Sequence, residues 1–396
     1  MGWLRLAIKY IAYHKFKSLI LIACIFLTAF LPIAIGLLLQ QFNQKIVARA
    51  TETPIVIGAK GSRLDLTLHT LYFKTPIDET IPFSHVRDIR DTEWANPIPV
   101  YSKFTAKDFP IVGTNLDYFD FRGLRLEAGN GLVTLGDCVI GSKVWEKTRI
   151  GIGETLISDR ENLLDIGGST PLKMHVRGIL KTTDTPDDWC VFVDLKTAWI
   201  IEGLGHGHQE LADVADEESD LKILNRDDEK IVASAAVRPY LEINDSNIDS
   251  FHFHGETKDF PISSIIAVAP DKKSETLLIG RYQAGVDDAQ AVIPESVVGQ
   301  LMSMVFRVKQ FFDANAILIA ISTALLLLLV VLLSLKLRQR EMDTMFKLGC
   351  SRGTILLLQV GEMAIVFLVS AVLVAFATGF VWQISGGLVQ RLLLGQ

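Results

Sequence analysis

The chain has 396 residues, 49% of them hydrophobic and 21% charged, and its 39 basic and 45 acidic side chains leave a net charge of −6. Neither kind of residue is evenly spread. Residues 18–39, 316–335 and 363–381 carry no charge at all, and each run is long enough to cross the roughly 30 Å hydrocarbon core of a bilayer as a helix. Residues 44–313 hold 29 basic and 42 acidic side chains, a local net of −13, which argues against nucleic acid or an anionic lipid surface as a partner of that stretch.

At the N-terminus, residues 3–14 predict a basic, partly amphipathic helix at the membrane interface, with Trp3, Tyr10 and Tyr13 at headgroup level. Arg5, Lys9, Lys15 and Lys17 precede the first span with no acid among them. Lys336, Arg338, Arg340, Lys347 and Arg352 lie between the second and third spans, against Glu341, Asp343 and Glu362. Basic residues flanking spans mark the cytoplasmic side, so the N-terminus is expected inside and the acidic stretch outside. The first run is too long for a signal-peptide core and lacks a small-x-small cleavage site, so it is expected to stay as a span. Pro32 is a candidate kink within it.

The outer stretch reads as mixed α/β. Strands are expected at 53–57, 109–112, 138–140, 174–180, 190–193 and 262–268, and a helix at 195–202. A second helix over 296–312 is marked by Val297, Leu301, Met304, Val305, Val308 and Phe312, and its pattern runs almost directly into the second span. Residues 216–230, with seven acids among fifteen, have the composition of a solvated loop. The expected class is therefore an α-helical transmembrane region of three spans, with a large mixed α/β extracytoplasmic domain inserted between the first and second.

No catalytic motif emerges. Gly136 to Lys143 resembles a phosphate loop but lacks the Lys directly after the second Gly. Cys138 and Cys190 lie where a disulfide is permitted, and the sequence does not choose between a bridge and two buried thiols. Four of the eight histidines fall in two pairs, His206-Gly-His208 and His252-Phe-His254. On a strand, residues i and i+2 share a face, so Phe253 turns inward and both flanking imidazoles outward. Together the pairs offer four nitrogens to a transition metal such as zinc, with Glu210 and Glu256 as candidate ligands or hydrogen-bond acceptors. The alternative is a turn and a wet strand that never meet. Glu362, near the start of the third span, is expected to play a structural role by pairing with Arg338, Arg340 or Arg352.

The cytoplasmic loop, residues 338–352, has a charged start, an apolar face of Met342, Met345 and Phe346, and a Gly stop. As a short helix under the membrane it would present side chains to a cytoplasmic partner. This loop resembles the signature region of FtsX/MacB-type ABC transporter permeases: Arg338 and Glu341 match its start, Lys347-Leu-Gly-Cys-Ser-Arg352 its middle and Glu362 its end. The basic N-terminal stretch before the first span is similar to that family too. Ile111-Val-Gly-Thr-Asn-Leu-Asp-Tyr-Phe-Asp120, Gly123, Gly129, Val139-Ile-Gly141, Ile150-Gly-Ile-Gly153 and Met174-His-Val-Arg-Gly-Ile-Leu180 resemble the MacB-type periplasmic domain.

The resemblance implies a division into an interfacial helix and first span (1–43), a MacB-like periplasmic domain (44–295), a stalk helix and second span (296–337), a coupling loop (338–354), and a third span with a tail (355–396). It implies a non-catalytic inner-membrane permease, homodimeric, docked on a cytoplasmic ABC ATPase that binds the ATP, with lipid and a periplasmic adaptor or binding protein as further partners. Coupling to the ATPase would rest on Arg338, Glu341, Met345, Leu348, Gly349 and Arg352. Strokes at the inner face would be transmitted to the outer domain, a mode called mechanotransmission. Members of the family usually have four spans, and this chain supports three. Two alternatives are a transmembrane regulator of a periplasmic enzyme that transports nothing, and a membrane receptor without an ATPase.

Overall fold

Short apolar strand runs such as Val191-Phe-Val and Ile265-Ile-Ala have no polar face, so they need cover on both sides of a sheet. The computed structural model describes residues 2–74, 79–159, 171–207, 223–227, 230–233, 241–285, 288–337, 339–349 and 351–394. It divides into two compact units, Met1–Ile46 with Gly299–Leu392, and Val47–Val298 with Leu393–Gln396.

In the first unit, α1 (Gly2–Tyr13) is a helix over the stretch expected to form one, and α2 (Lys15–Thr51) runs through Pro32 without interruption. Further along the chain are α3 (Arg63–Tyr72), α4 (Ser84–Thr92), α5 (Leu116–Arg122), α6 (Ser142–Thr148), α7 (Leu195–Glu202) and α8 (Lys272–Ala284). Three more helices complete the chain: α9 (Pro294–Leu337), α10 (Gln339–Lys347) and α11 (Arg352–Leu394). Helices α2, α9 and α11 contain the three uncharged runs, and each is long and apolar enough to cross a membrane. Within this unit Thr28 and Thr323 hydroxyls lie 3.2 Å apart and Lys45 Nζ donates to the Gly386 carbonyl at 3.2 Å. The helical stripe read at 296–312 is one part of α9, but Met304, Val308 and Phe312 on it are exposed.

The second unit is built on an eleven-stranded mixed sheet. Its strands are β1 (Ile55–Ala59), β3 (Asn96–Tyr101), β4 (Thr105–Ala106), β5 (Phe109–Thr114), β6 (Leu126–Gly129), β7 (Asp137–Ile140), β8 (Thr155–Ile157), β9 (Lys173–Leu180), β10 (Val191–Asp194), β16 (Ser264–Val268) and β17 (Ala289–Val292). Strands β2 (Ile81–Pro82) and β15 (Pro261–Ile262) form a separate pair, as do β11 (Gly205–His206) with β14 (His252–Phe253), and β12 (Ile223–Asp227) with β13 (Lys230–Ala233). The main order is β17-β1-β16-β3-β5-β10-β7-β9-β6, with β4 on β5 and β8 on β9. Pairings are antiparallel except β10 with β5 and β7 with β9.

Alternation divides the buried side chains between two faces. Ile111, Cys138, Ile140, Val191, Val193 and Ile265 point into the larger core, which α4, α6, α7 and α8 cover with Val86, Val144, Trp199 and Leu278. Val112, Val139, Phe192 and Ile266 point the other way, against Phe73 and Tyr118. The run read as one strand at 262–268 is two, because Ser263 leaves the ladder and donates its N–H to the Val100 carbonyl at 3.0 Å. Strand β3 was not expected, since Pro97 and Pro99 lie within it. The register pairs only Val100 and Tyr101 with β5, so both prolines sit where that side of the ladder has no partner. Cys138 and Cys190 are buried free thiols rather than a disulfide. Burial pushes both thiols well above the usual range, reinforced by Asp137 and Asp187 respectively.

Candidate functional site

Helix α7 sets up the histidine pairs. Asp194 caps it by accepting the Lys196 N–H, and Trp199 anchors it between Phe83 and Phe260 while donating Nε1–H to the Pro261 carbonyl at 2.8 Å. Gly203 ends the helix at φ +91°, a conformation suited to glycine, and Leu204 N–H closes back on Trp199 O at 3.0 Å. The chain then enters β11, whose His206 stands opposite His252 of β14. His254 N–H donates to Leu204 O at 2.9 Å, which extends that pairing by one bond.

His206 of the first pair therefore meets both histidines of the second. Ring centroids are 5.1 Å apart for His206 and His252, 4.8 Å for His206 and His254, and 4.9 Å for His252 and His254. One nitrogen from each ring lies within 4.8 Å of the others. His252 and His254 are exposed and His206 is half-buried, while Phe253 between them packs on Phe260 and the core, as alternation requires. His208 and Glu210 lie outside the described residues. Glu256 pairs with Lys258 at 2.6 Å.

The described residues read as coupling residues fall on α10, just after it, or at the start of α11. The helix matches the expected short amphipathic segment, with Met342 and Met345 half-buried and Phe346 exposed. Leu348 is 80% exposed. Gly349, at φ +95°, turns the chain out of the helix, and its N–H donates to Phe346 O at 3.0 Å. Glu341 lies on α10 and Arg352 opens α11, while Arg338 and Cys350 are outside the described residues. Glu362 is buried in its own unit, 3.5 Å from Lys17 Nζ. That ion pair joins α11 to the start of α2, a partner the arginine reading did not include.

One constellation left no trace in the sequence reading. In the second unit Arg49, Asp187 and Tyr118 form a buried charged network, with the half-buried Arg122 beside it. Arg49 reaches Asp187 with two parallel bonds of 2.7 and 3.0 Å, and its Nε donates to the Leu71 carbonyl at 2.7 Å. Asp187 also accepts from the Tyr118 hydroxyl at 2.7 Å and from Thr185 at 2.9 Å. Burial pushes the Asp187 carboxyl up, but Arg49, Arg122 and these hydrogen bonds outweigh it and hold the group at about 2. Burial raises the Tyr118 phenol, and Asp187 adds to it. Burial and the neighbouring Arg49 lower Arg122, whose guanidinium stacks on Phe121 at 4.8 Å and reaches Thr53 Oγ1 at 3.0 Å. Nothing in the spacing of Asp187 points 138 positions back to Arg49.

No protein-family model matches this chain, and no curated protein matches it either. Among solved structures the chain is similar to the extracellular domain of the noncanonical ABC-type transporter YknZ from Gram-positive bacteria, at 10% identity over 60% of this chain and 98% of that one, with a TM-score of 0.33. It is also similar to the periplasmic region of MacB from Actinobacillus actinomycetemcomitans, at 12% identity over 65% of this chain and 98% of that one, with a TM-score of 0.36.

Proposed function

We propose that this chain is a permease subunit of an ABC-type transporter, homodimeric in the bacterial inner membrane, with its N-terminus in the cytoplasm and its α/β unit in the periplasm. A separate cytoplasmic ATPase binds and hydrolyses ATP. The permease converts that stroke into movement of the outer unit, acting on a lipoprotein, lipid, drug or metal-related cargo. The observation that carries the reading is α10: a short amphipathic helix between two long apolar helices, ended by a left-handed Gly349 and followed by Ser351-Arg352. Leu348, exposed just after α10, offers apolar surface that a docked protein would cover. Basic residues at both ends of this loop and before α2 support the orientation.

The test is purification of the solubilised full chain from its native membranes, beside a Leu348→Asp variant. The wild type should retain an ABC ATPase, and the variant should lose at least about tenfold in affinity for it, as expected when a central apolar anchor is replaced by a charge. Leu348 is exposed, so the variant should melt with the wild type. Recovery of no ATPase, even after gentle crosslinking, would remove the transporter reading in favour of a receptor. A stable complex with a periplasmic hydrolase, alongside the ATPase, would replace transport by regulation.

A further inference from the structure

We propose that His206, His252 and His254 form a binding site for one transition-metal dication of the zinc class, with a fourth coordination position left for a further ligand. The site goes beyond the permease reading and does not depend on it.

Backbone geometry places the three rings. The β11–β14 register sets His206 opposite His252, and the His254 N–H to Leu204 bond fixes the third residue on the same side. The three nitrogens lie within 4.8 Å of one another, whereas a tetrahedral zinc with bonds of 2.0–2.1 Å needs about 3.3 Å between ligand atoms. Small side-chain rotations close that gap, and His252 and His254 are exposed and have room to turn. His252 Nδ1 lies 3.0 Å from the Ser250 carbonyl. A carbonyl accepts only, so this contact puts the proton on Nδ1 and directs the Nε2 lone pair outward, as in metal sites whose histidines are oriented by a second hydrogen bond.

Donor chemistry selects the ion. Three imidazoles with no carboxylate in the set suit zinc, copper, nickel or cobalt, and offer nothing to calcium or magnesium, which bind oxygen. The neighbouring carboxylate, Glu256, is engaged by Lys258. Three protein ligands plus an open position is the arrangement of zinc sites that exchange a ligand, as opposed to closed four-ligand structural sites. The ion would also join two strands of only two residues each, at the two ends of the 207–251 excursion. A crosslink at that point closes a long loop and makes a marginal strand pair firm.

The experiment uses the full chain in detergent, without a polyhistidine tag, stripped with a chelator and equilibrated with zinc chloride at neutral pH in the presence of excess magnesium. Elemental mass spectrometry after desalting should find about one zinc per chain. The His252→Ala/His254→Ala variant should lose it, with affinity down at least about 100-fold, whereas His14→Ala should keep it. Cobalt(II) in place of zinc should give the intense visible bands of a tetrahedral ion in the wild type and not in the double variant. Both substituted residues are exposed, so the metal-free melting temperature should not change. Absence of zinc and of the cobalt bands in the wild type would overturn the proposal, as would equal uptake by the double variant. Neither result bears on whether an ATPase copurifies.

Discussion

Replacing Asp187 with Asn changes almost no volume but removes the only carboxylate in the buried network formed with Arg49, Tyr118 and Arg122. The side chain would still occupy its place, 1% exposed, yet it would leave the Arg49 guanidinium buried without its counter-charge, and Arg122 beside it. Breaking one half of a buried ion pair costs about 3–5 kcal/mol. For a unit of this size each kcal/mol moves the melting temperature by about 2–4 °C, so the variant should melt about 6–20 °C lower. Tryptophan fluorescence of the full chain in detergent is a suitable assay, since Trp189 is two residues from the substitution and Trp199 lies in the main core. Arg49→Leu combined with Asp187→Leu should recover much of the loss, because two buried charges leave together. The same carboxyl gives the transition a pH signature. Its folded pKa of about 2 lies below the ordinary value of about 3.9 for an unfolded aspartate. Its contribution, on the order of 2 kcal/mol, is therefore complete above about pH 5 and is lost as the pH falls towards 2. The wild type should lose stability over that window more steeply than Asp187→Asn. A shift smaller than about 2 °C, or parallel acid limbs in the two proteins, would refute this account of the network.

Gly141→Ala should destabilise by about 1–3 kcal/mol in the same melting assay, because a Cβ there would press on the Asp187 and Asp188 carbonyls, which are backbone and cannot swing away. A variant as stable as the wild type would show that the turn carrying Asp187 is loosely held. Cys138 and Cys190 should resist maleimide in the native protein and react within the dead time after denaturation, read by peptide mass spectrometry. Labelling at the rate of an exposed thiol would place these strands elsewhere.

What the sequence made legible follows from how local each cause is. An uncharged run of twenty residues needs no partner to declare itself, and α2, α9 and α11 formed where those runs lie. Helix α7 and strands β7, β9 and β10 were found within a residue or two from local apolar pattern. Strand β3 was missed because proline usually disqualifies an inner strand, and the exemption comes from a register visible only in the sheet. The His252-Phe253-His254 alternation was readable, but its meeting with His206 depends on a pairing across 45 intervening residues. Arg49 and Asp187 are of the same kind. Neither residue belongs to a local pattern, and only tertiary burial makes them a pair.

The place of β1 in the sheet bears on how the protein is made. Ile55, Val56 and Ile57 are fully buried, and both neighbours of their strand come from the far end of the second unit: Ile55 stands opposite Ala267, and Val56 opposite Val292, 236 positions later. At about 5–20 residues per second, β1 leaves the ribosome about 10–50 s before its second partner exists. Until β16 emerges it is an apolar strand with two open edges, and until β17 follows it keeps one, the kind of segment that pairs with the wrong chain. The second unit cannot complete its sheet strand by strand as it emerges. Something must shield its beginning until its end arrives.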